Sequence, residues 1–158
     1  MLVTTGEQGL LLSRPRSFVG LMGIYENNYL RLRRLLGDPA RLPDRLISSA
    51  PRDPSLQVRI LERCRYTTTL NLTYFFDEGE ARVADPDLTV KVYHDARLVE
   101  ASDCRHRHQH RLFRGFPTDA SDELVRRWAM NRMLNKWLEY CIQGGHCFPG
   151  QTSQSRQA

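Results

Sequence analysis

The sequence predicts an α+β domain: an antiparallel four-stranded meander with an N-terminal and a C-terminal helix packed on one face. Three observations lead there. Two central runs, Arg65 to Phe76 and Asp87 to Ala101, alternate apolar and polar residues with period two, the pattern of strands with one buried and one solvated face. A segment before them and one after repeat their apolar residues every three or four positions, the helical period. At 158 residues the chain is long enough for one domain with one core.

The elements follow in order. Residues 1–16 read as a flexible arm, and residues 17–146 as the single α+β domain. Ser17 is placed to cap a helix over Phe18 to Leu36, with Phe18, Leu21, Met22, Tyr25, Tyr29, Leu32 and Leu36 on its buried face. Gly37 and Pro39 stop it. The stretch from Gly37 to Ser55 holds Pro39, Pro43, Pro51 and Pro54. It reads as a long connection with a short helical turn at Asp44 to Ser48, pinned to the core by Leu42, Leu46 and Ile47. The first strand turns Leu56, Val58, Ile60 and Cys64 inward. The second turns Leu70, Leu72, Tyr74 and Phe76 inward, with Thr67, Thr69, Asn71 and Thr73 outside. Asp77-Glu-Gly-Glu80 and Asp85-Pro-Asp87 supply turn chemistry before a third strand on Leu88, Val90 and Val92. The fourth begins near Arg97 and extends toward Phe113. A last helix runs from about Asp119 to Gln143, burying Leu124, Trp128, Leu134, Leu138 and Cys141, and Gly144-Gly145 ends it. Residues 147–158 read as a disordered polar tail.

Composition sets the class. Hydrophobic residues make up 41% and charged residues 26%, ordinary for a soluble globular protein. No apolar run reaches the roughly 20 residues that span a bilayer, and the first residues lack the basic and apolar regions of a secretory signal. The expectation is a cytoplasmic protein with no membrane partner, whose four cysteines are reduced thiols. The net charge is +5, and all but two of the 23 basic residues are arginine. Arginine suits planar, bidentate recognition of carboxylate or phosphate, so an acidic protein surface or nucleic acid is a chemically matched partner. Arg31, Arg33, Arg34, Arg126, Arg127 and Arg132 are candidates for one edge of such a site; ordinary solvated helix surface accounts for them as well.

Three constellations can carry chemistry. Cys104-Arg-His-Arg-His-Gln-His110 on a strand would project Cys104, His106, His108 and His110 from one face, and neutral imidazole and thiolate suit zinc. A charged edge strand that discourages edge-to-edge pairing explains the same alternation. Tyr93-His94-Asp95 suggests a general base oriented by a carboxylate, but adjacent strand residues point to opposite faces unless the strand ends there. Arg65, Thr67 and Thr69 set a guanidinium near hydroxyls able to hold an anion, although threonine is also simply a good strand residue. With Lys91 on the outer face, the candidate ligand or partner set is Arg65, Thr67, Thr69, Lys91, Tyr93, His94 and Asp95. No serine nucleophile elbow, phosphate-binding glycine loop or zinc-protease helix is present.

Four segments, Met22-Gly-Ile-Tyr-Glu-Asn-Asn-Tyr-Leu-Arg-Leu-Arg-Arg-Leu-Leu36, Arg65-Tyr-Thr-Thr68, Val90-Lys-Val-Tyr-His-Asp-Ala96 and Asn131-Arg-Met-Leu-Asn-Lys-Trp-Leu-Glu-Tyr-Cys141, together resemble the YqiB-like family of small bacterial proteins of unknown function. The likeness runs from about Phe18 to His146. It implies a shared fold and a cytoplasmic setting, and no particular activity or catalytic residues. The family tends to carry an Arg-Tyr-Tyr/Pro-Tyr-Pro-Asn type segment before the last helix, where this chain has Arg111-Leu-Phe-Arg-Gly-Phe-Pro-Thr118.

With no catalytic motif, a compact domain, a long connection and an exposed polar sheet face, the function expected is a non-enzymatic binding or adaptor domain for a protein partner. The alternatives are a nucleic-acid-binding protein using its arginine-rich surface, and a metal-binding protein using Cys104 to His110, with zinc as the cofactor in that case and none otherwise.

Overall fold

A computed structural model describes residues 17–105 and 123–148. The chain is α+β. Helix α1 spans Phe18–Leu36 and a short 3-10 turn Pro39–Arg41. The strands are β1 (Arg45–Ala50), β2 (Asp53–Arg63), β3 (Thr67–Glu78), β4 (Ala81–Tyr93) and β5 (Leu98–Arg105), and helix α2 spans Glu123–Gln143. The strands form one antiparallel sheet in the order β1-β2-β3-β4-β5.

The sheet has five strands where four are expected. The additional one is β1, formed by residues read from the sequence as a helical turn in a long connection. Arg45-Leu-Ile-Ser-Ser-Ala50 alternates exposed and buried residues from Arg45 to Ser49 and pairs with β2 from Arg45↔Arg59 to Ala50↔Asp53. The prolines that suggested a loop lie just outside it at Pro43 and Pro51, where they cost no ladder bond. Leu42 and Leu46 are buried as expected, but Ile47 is 46% exposed because it lies on the opposite face of the strand.

Irregular positions explain the other departures. An extra residue, Leu61, interrupts the β2–β3 register between Ile60 and Glu62, so strict alternation fails and Cys64 lies exposed beyond the strand instead of on its inner face. Asp85-Pro86-Asp87 is not a turn but part of β4, with a cis Asp85–Pro86 bond beside a register shift between Thr73 and Phe75. Phe76 keeps the face of Tyr74, its ring edge-on at 6.4 Å, but is 42% exposed. Gly79, at φ 65°, makes the β3–β4 turn.

The ends of α1 and the C-terminal end of α2 follow their sequence signals, while the expected start of the last helix near Asp119 lies outside the described residues. Ser17 Oγ accepts from Gly20 N at 3.1 Å, and Gly37 at φ 84° closes α1 with its N–H on Arg33 O. Phe18 and Leu124, expected inside, sit in the first turns and are exposed, while Ile24, Asn28 and Leu35 complete the buried face of α1. Phe148, assigned to the tail, is 1% exposed and belongs to the core.

One face of the sheet shares the main core with the helices. Leu46, Leu56, Val58, Leu70, Leu72, Leu88, Val90, Val92 and Val99 cluster with Leu32, Leu36, Leu134 and Leu138. A second cluster joins Leu21, Ile24, Tyr25 and Trp128, with Leu98 against it, beside β5.

Polar groups bind the helices to the sheet edge. Ala101 N donates to Asn131 Oδ1 at 2.7 Å, and Asn131 Nδ2 donates to Arg127 O at 2.9 Å. Asn28 Nδ2 lies 3.4 Å from Val99 O, and Asn135 Nδ2 donates to Asn27 Oδ1 and Asn28 Oδ1 at 2.7 and 3.0 Å. Asn28 and Asn131 are fully buried. Removing Asn131 leaves the Ala101 amide without its partner, a loss of about 1–3 kcal/mol for a buried group. Asn131→Ala should lower the urea midpoint accordingly, while Asn27→Ala, on the half-buried rim, should cost under about 1 kcal/mol. Equal midpoints for the two variants would remove this role from Asn131.

Candidate functional site

The seven residues of the candidate ligand set divide among four places. Thr67, Thr69, Lys91 and Tyr93 share the sheet face turned away from the core. They stand in directly paired positions, Thr67↔Tyr93 and Thr69↔Lys91, and the Lys91 ammonium lies 5.4 Å from the Tyr93 ring centroid. His94 lies on the other face with Thr68, its Nε2 2.8 Å from Thr68 Oγ1, and its N–H bonds to Tyr66 O. Asp95 is exposed in the turn that follows, so His94 and Asp95 form no dyad: the strand ends at Tyr93. Arg65 lies in the β2–β3 turn, its guanidinium 5.3 Å from the Tyr66 ring centroid.

Further along the outer face, Asn71 and Thr73 are not free, as expected, but gathered around Asp87. Asn71 Nδ2 bonds Asp87 Oδ1 and reaches Leu88 O at 3.2 Å, and Thr73 Oγ1 lies 2.9 Å from Asn71 Oδ1 and 3.0 Å from Asp87 Oδ1. Thr73 and Gln57 are buried there.

Of the candidate metal set, Cys104 lies in β5 at register with Leu88. His106, His108 and His110 lie outside the described residues, as does the Arg111–Thr118 segment. Among the described residues, no three His, Cys, Asp or Glu side chains gather as metal ligands, and no helix is long and apolar enough to cross a membrane.

The arginine cluster is partly neutralised. Arg31 donates to Asn135 O at 2.9 Å and to Glu139 at 3.0 Å. Arg127 meets Glu123 at 2.8 Å and Glu100 at 3.8 Å, and Arg63 meets Asp44 at 2.9 Å. Glu100 also accepts from the Tyr93 hydroxyl at 2.6 Å. Burial, then the bond to Glu100, pushes the Tyr93 hydroxyl pKa up to about 12, so Tyr93 acts as a neutral donor at ordinary pH.

A second polar group was not legible in the sequence because it depends on β1. Ser48 Oγ accepts from Cys147 N at 2.9 Å and lies 3.2 Å from His146 Nδ1. His146 Nε2 is 3.6 Å from Asp53 Oδ2, and Asp53 Oδ1 accepts from the Tyr140 hydroxyl at 3.1 Å. Nearby, Tyr74 Oη lies 3.0 Å from Cys141 Sγ. The residue types are those of a nucleophilic triad, but Ser48 is only 2% exposed and its oxygen is already engaged by an amide. A substrate carbonyl has no approach, and burial pushes the neighbouring Cys141 thiol up to about 12, away from reactive thiolate. The group is a latch that fastens the end of α2 to β1 and β2. Gly144 is part of it, since a Cβ there would stand 2.5 Å from Asp53 Oδ2. The sequence signal was the Leu46/Ser48 alternation, masked by the surrounding prolines.

These observations define a small α+β protein, a five-stranded antiparallel meander whose inner strand residues share a core cluster with residues of two helices. The chain belongs to the DUF1249 family, described as a protein of unknown function, whose profile matches residues 31–147. It is similar to the uncharacterized protein YqiB of Escherichia coli K12, with 27% identity over 133 residues that cover 81% of this chain and 90% of YqiB. The YqiB proteins of strains O157:H7 and O6:H1 are similar to the same extent. No solved structure matches the chain.

Burial lowers the His146 pKa below its ordinary 6.5, with Asp53 opposing in part. The unfolded chain therefore binds a proton that the folded latch resists. Its contribution to stability is complete above pH 6.5 and declines as pH falls through that value toward the depressed folded pKa. Urea unfolding from pH 7.5 to 5.5 should show stability falling faster in the wild type than in His146→Gln, by at most about one proton's slope. Parallel profiles would show that the latch does not titrate.

Proposed function

We propose that this chain is a non-enzymatic binding domain that docks a protein partner. The observation that carries the reading is the paired block Thr67–Tyr93 and Thr69–Lys91 on the sheet face turned away from the main core, bordered at β5 by Glu100 and by Arg127 of α2. Cross-strand neighbours on a rigid sheet hold hydroxyls, an ammonium and an aromatic ring in fixed register without ordering a loop, which limits the entropy cost of association. The side chains that suggest catalysis support binding instead: His94 and Asp95 are separated by a strand end, and Ser48 and His146 are sealed in a latch. Several of the arginines that favour nucleic acid are paired with Glu139, Asp44, Glu123 and Glu100, which weakens a continuous basic track. The cytoplasm remains the compartment we assign, in keeping with reduced thiols.

Capture from native lysate at physiological salt, with and without nuclease, tests the reading. A stoichiometric polypeptide should survive nuclease, and Thr67→Arg with Thr69→Arg, which crowd the face without entering the core, should weaken its binding at least about tenfold, or ~1.4 kcal/mol. Recovery that disappears with nuclease would replace this reading with nucleic-acid binding.

A further inference from the structure

The two edges of the sheet are finished differently. At β5, Val99 O and Ala101 N are taken by Asn28 and Asn131, and both helices stand against the strand. At β1, Ile60 N donates to Asp44 O at 2.8 Å. In the register Arg45↔Arg59, Leu46↔Val58, Ile47↔Gln57, antiparallel alternation then assigns the ladder bonds to Asp44, Leu46 and Ser48. Arg45 and Ile47 turn their N–H and C=O groups to the far side, where no described residue bonds them. Such an edge is a template for another strand.

Its side chains limit what can be added. Arg45 and Arg59 are exposed and directly opposite each other. Like charges so placed repel. Arg45 is held only by the neutral Gln57 side chain at 2.8 Å, and Arg59 makes no ion pair among the described residues. Arg52 is exposed just beyond the far end of the strand, while Arg41, in the turn before it, is paired with Asp38 at 3.7 Å. Ile47, two residues from Arg45 on the same face, is 46% exposed.

We propose that β1 is the docking edge for an extended acidic segment of a partner protein, which joins the sheet as a sixth strand and sets a carboxylate against Arg45 and Arg59 and an apolar side chain against Ile47. This rests on the protein-binding reading above and names the partner's chemistry. Main-chain bonds to Arg45 and Ile47 supply affinity, and the arginine pair selects an acidic residue two positions from an apolar one. A second copy of this chain fits less well, because it brings a +5 molecule and the same arginine edge against itself.

The test is selection of a displayed library of random ten-residue peptides on the full chain at physiological salt, followed by fluorescence anisotropy of the enriched peptides. Enriched peptides should carry an acidic residue two positions from an apolar one. Ile47→Pro removes a donor that faces the open edge and no β1–β2 ladder bond, a position where proline is tolerated; it should weaken binding at least tenfold. Arg45→Glu, on the exposed face, should do the same and needs no change of backbone. Lys136→Glu, an equal charge reversal on the exposed side of α2, should leave peptide affinity unchanged. The proposal is overturned if no peptide is enriched, if the enriched peptides are not acidic, or if they bind Ile47→Pro and Arg45→Glu as tightly as wild type. It is also overturned by a wild-type dimer in sedimentation that Ile47→Pro dissolves, which would make a second copy the occupant. Peptides or captured proteins sensitive only to the threonine variants would remove the edge and leave the binding-domain reading standing.

Discussion

Asn28 and Asn131 end the hydrogen-bond ladder of the sheet at β5. Their side chains take the Val99 carbonyl and the Ala101 amide that would otherwise face an apolar interior. A buried backbone group without a partner costs about 1–3 kcal/mol, so the strand requires polar side chains at two fixed points on its flank. Both helices must bring them there, which fixes the rotation of each helix about its axis and its height along β5. The apolar faces of α1 and α2 then have one place to go, over the sheet face that carries Leu70, Leu72, Leu88 and Val90. Asn135, bonded to Asn27 and Asn28, and the Trp128 Nε1 donor on Ser17 O at 2.9 Å extend the same seam to the start of α1.

The asymmetry of the molecule follows from that seam. With β5 closed by the helices, the opposite edge, β1, is joined to the end of α2 through core contacts of Leu46 and the latch of Ser48, Asp53 and His146. Those contacts use side chains on one face of β1 and leave its outward backbone groups untouched. The polar face beyond the core is divided too: the Asn71–Thr73–Asp87 knot is satisfied within itself, while Thr67, Thr69 and Lys91 make no comparable network among the described residues.

Much of the fold was legible because local rules coincide with it. Ser17 and Gly37 bracket α1 as capping chemistry requires, and the Leu88/Val90/Val92 alternation marks β4. The failures within the sheet share one cause, since each depends on a partner strand distant in sequence. Leu61 is an extra residue only relative to β3, and the Asp85-Pro86-Asp87 segment is strand only because β3 accommodates its irregularity. β1 was read as a helical turn because six residues between prolines carry too little periodicity to outweigh them. For the candidate residues, alternation correctly put Thr67, Thr69 and Lys91 on one face and separated His94 from Asp95.

By itself, the sequence determined the class of fold, the limits of the first helix, the faces of most central strand residues and the family. Each of these is written in spacing and local chemistry that act over a few residues. Only the tertiary structure decided which edge of the sheet is closed, that Ser48, Asp53 and His146 meet, and that Asn28 and Asn131 serve β5. Ser48 and His146 are 98 residues apart, and Asn131 and Ala101 are 30. No local period encodes such meetings, because they arise when buried polar groups far apart in the chain must satisfy one another.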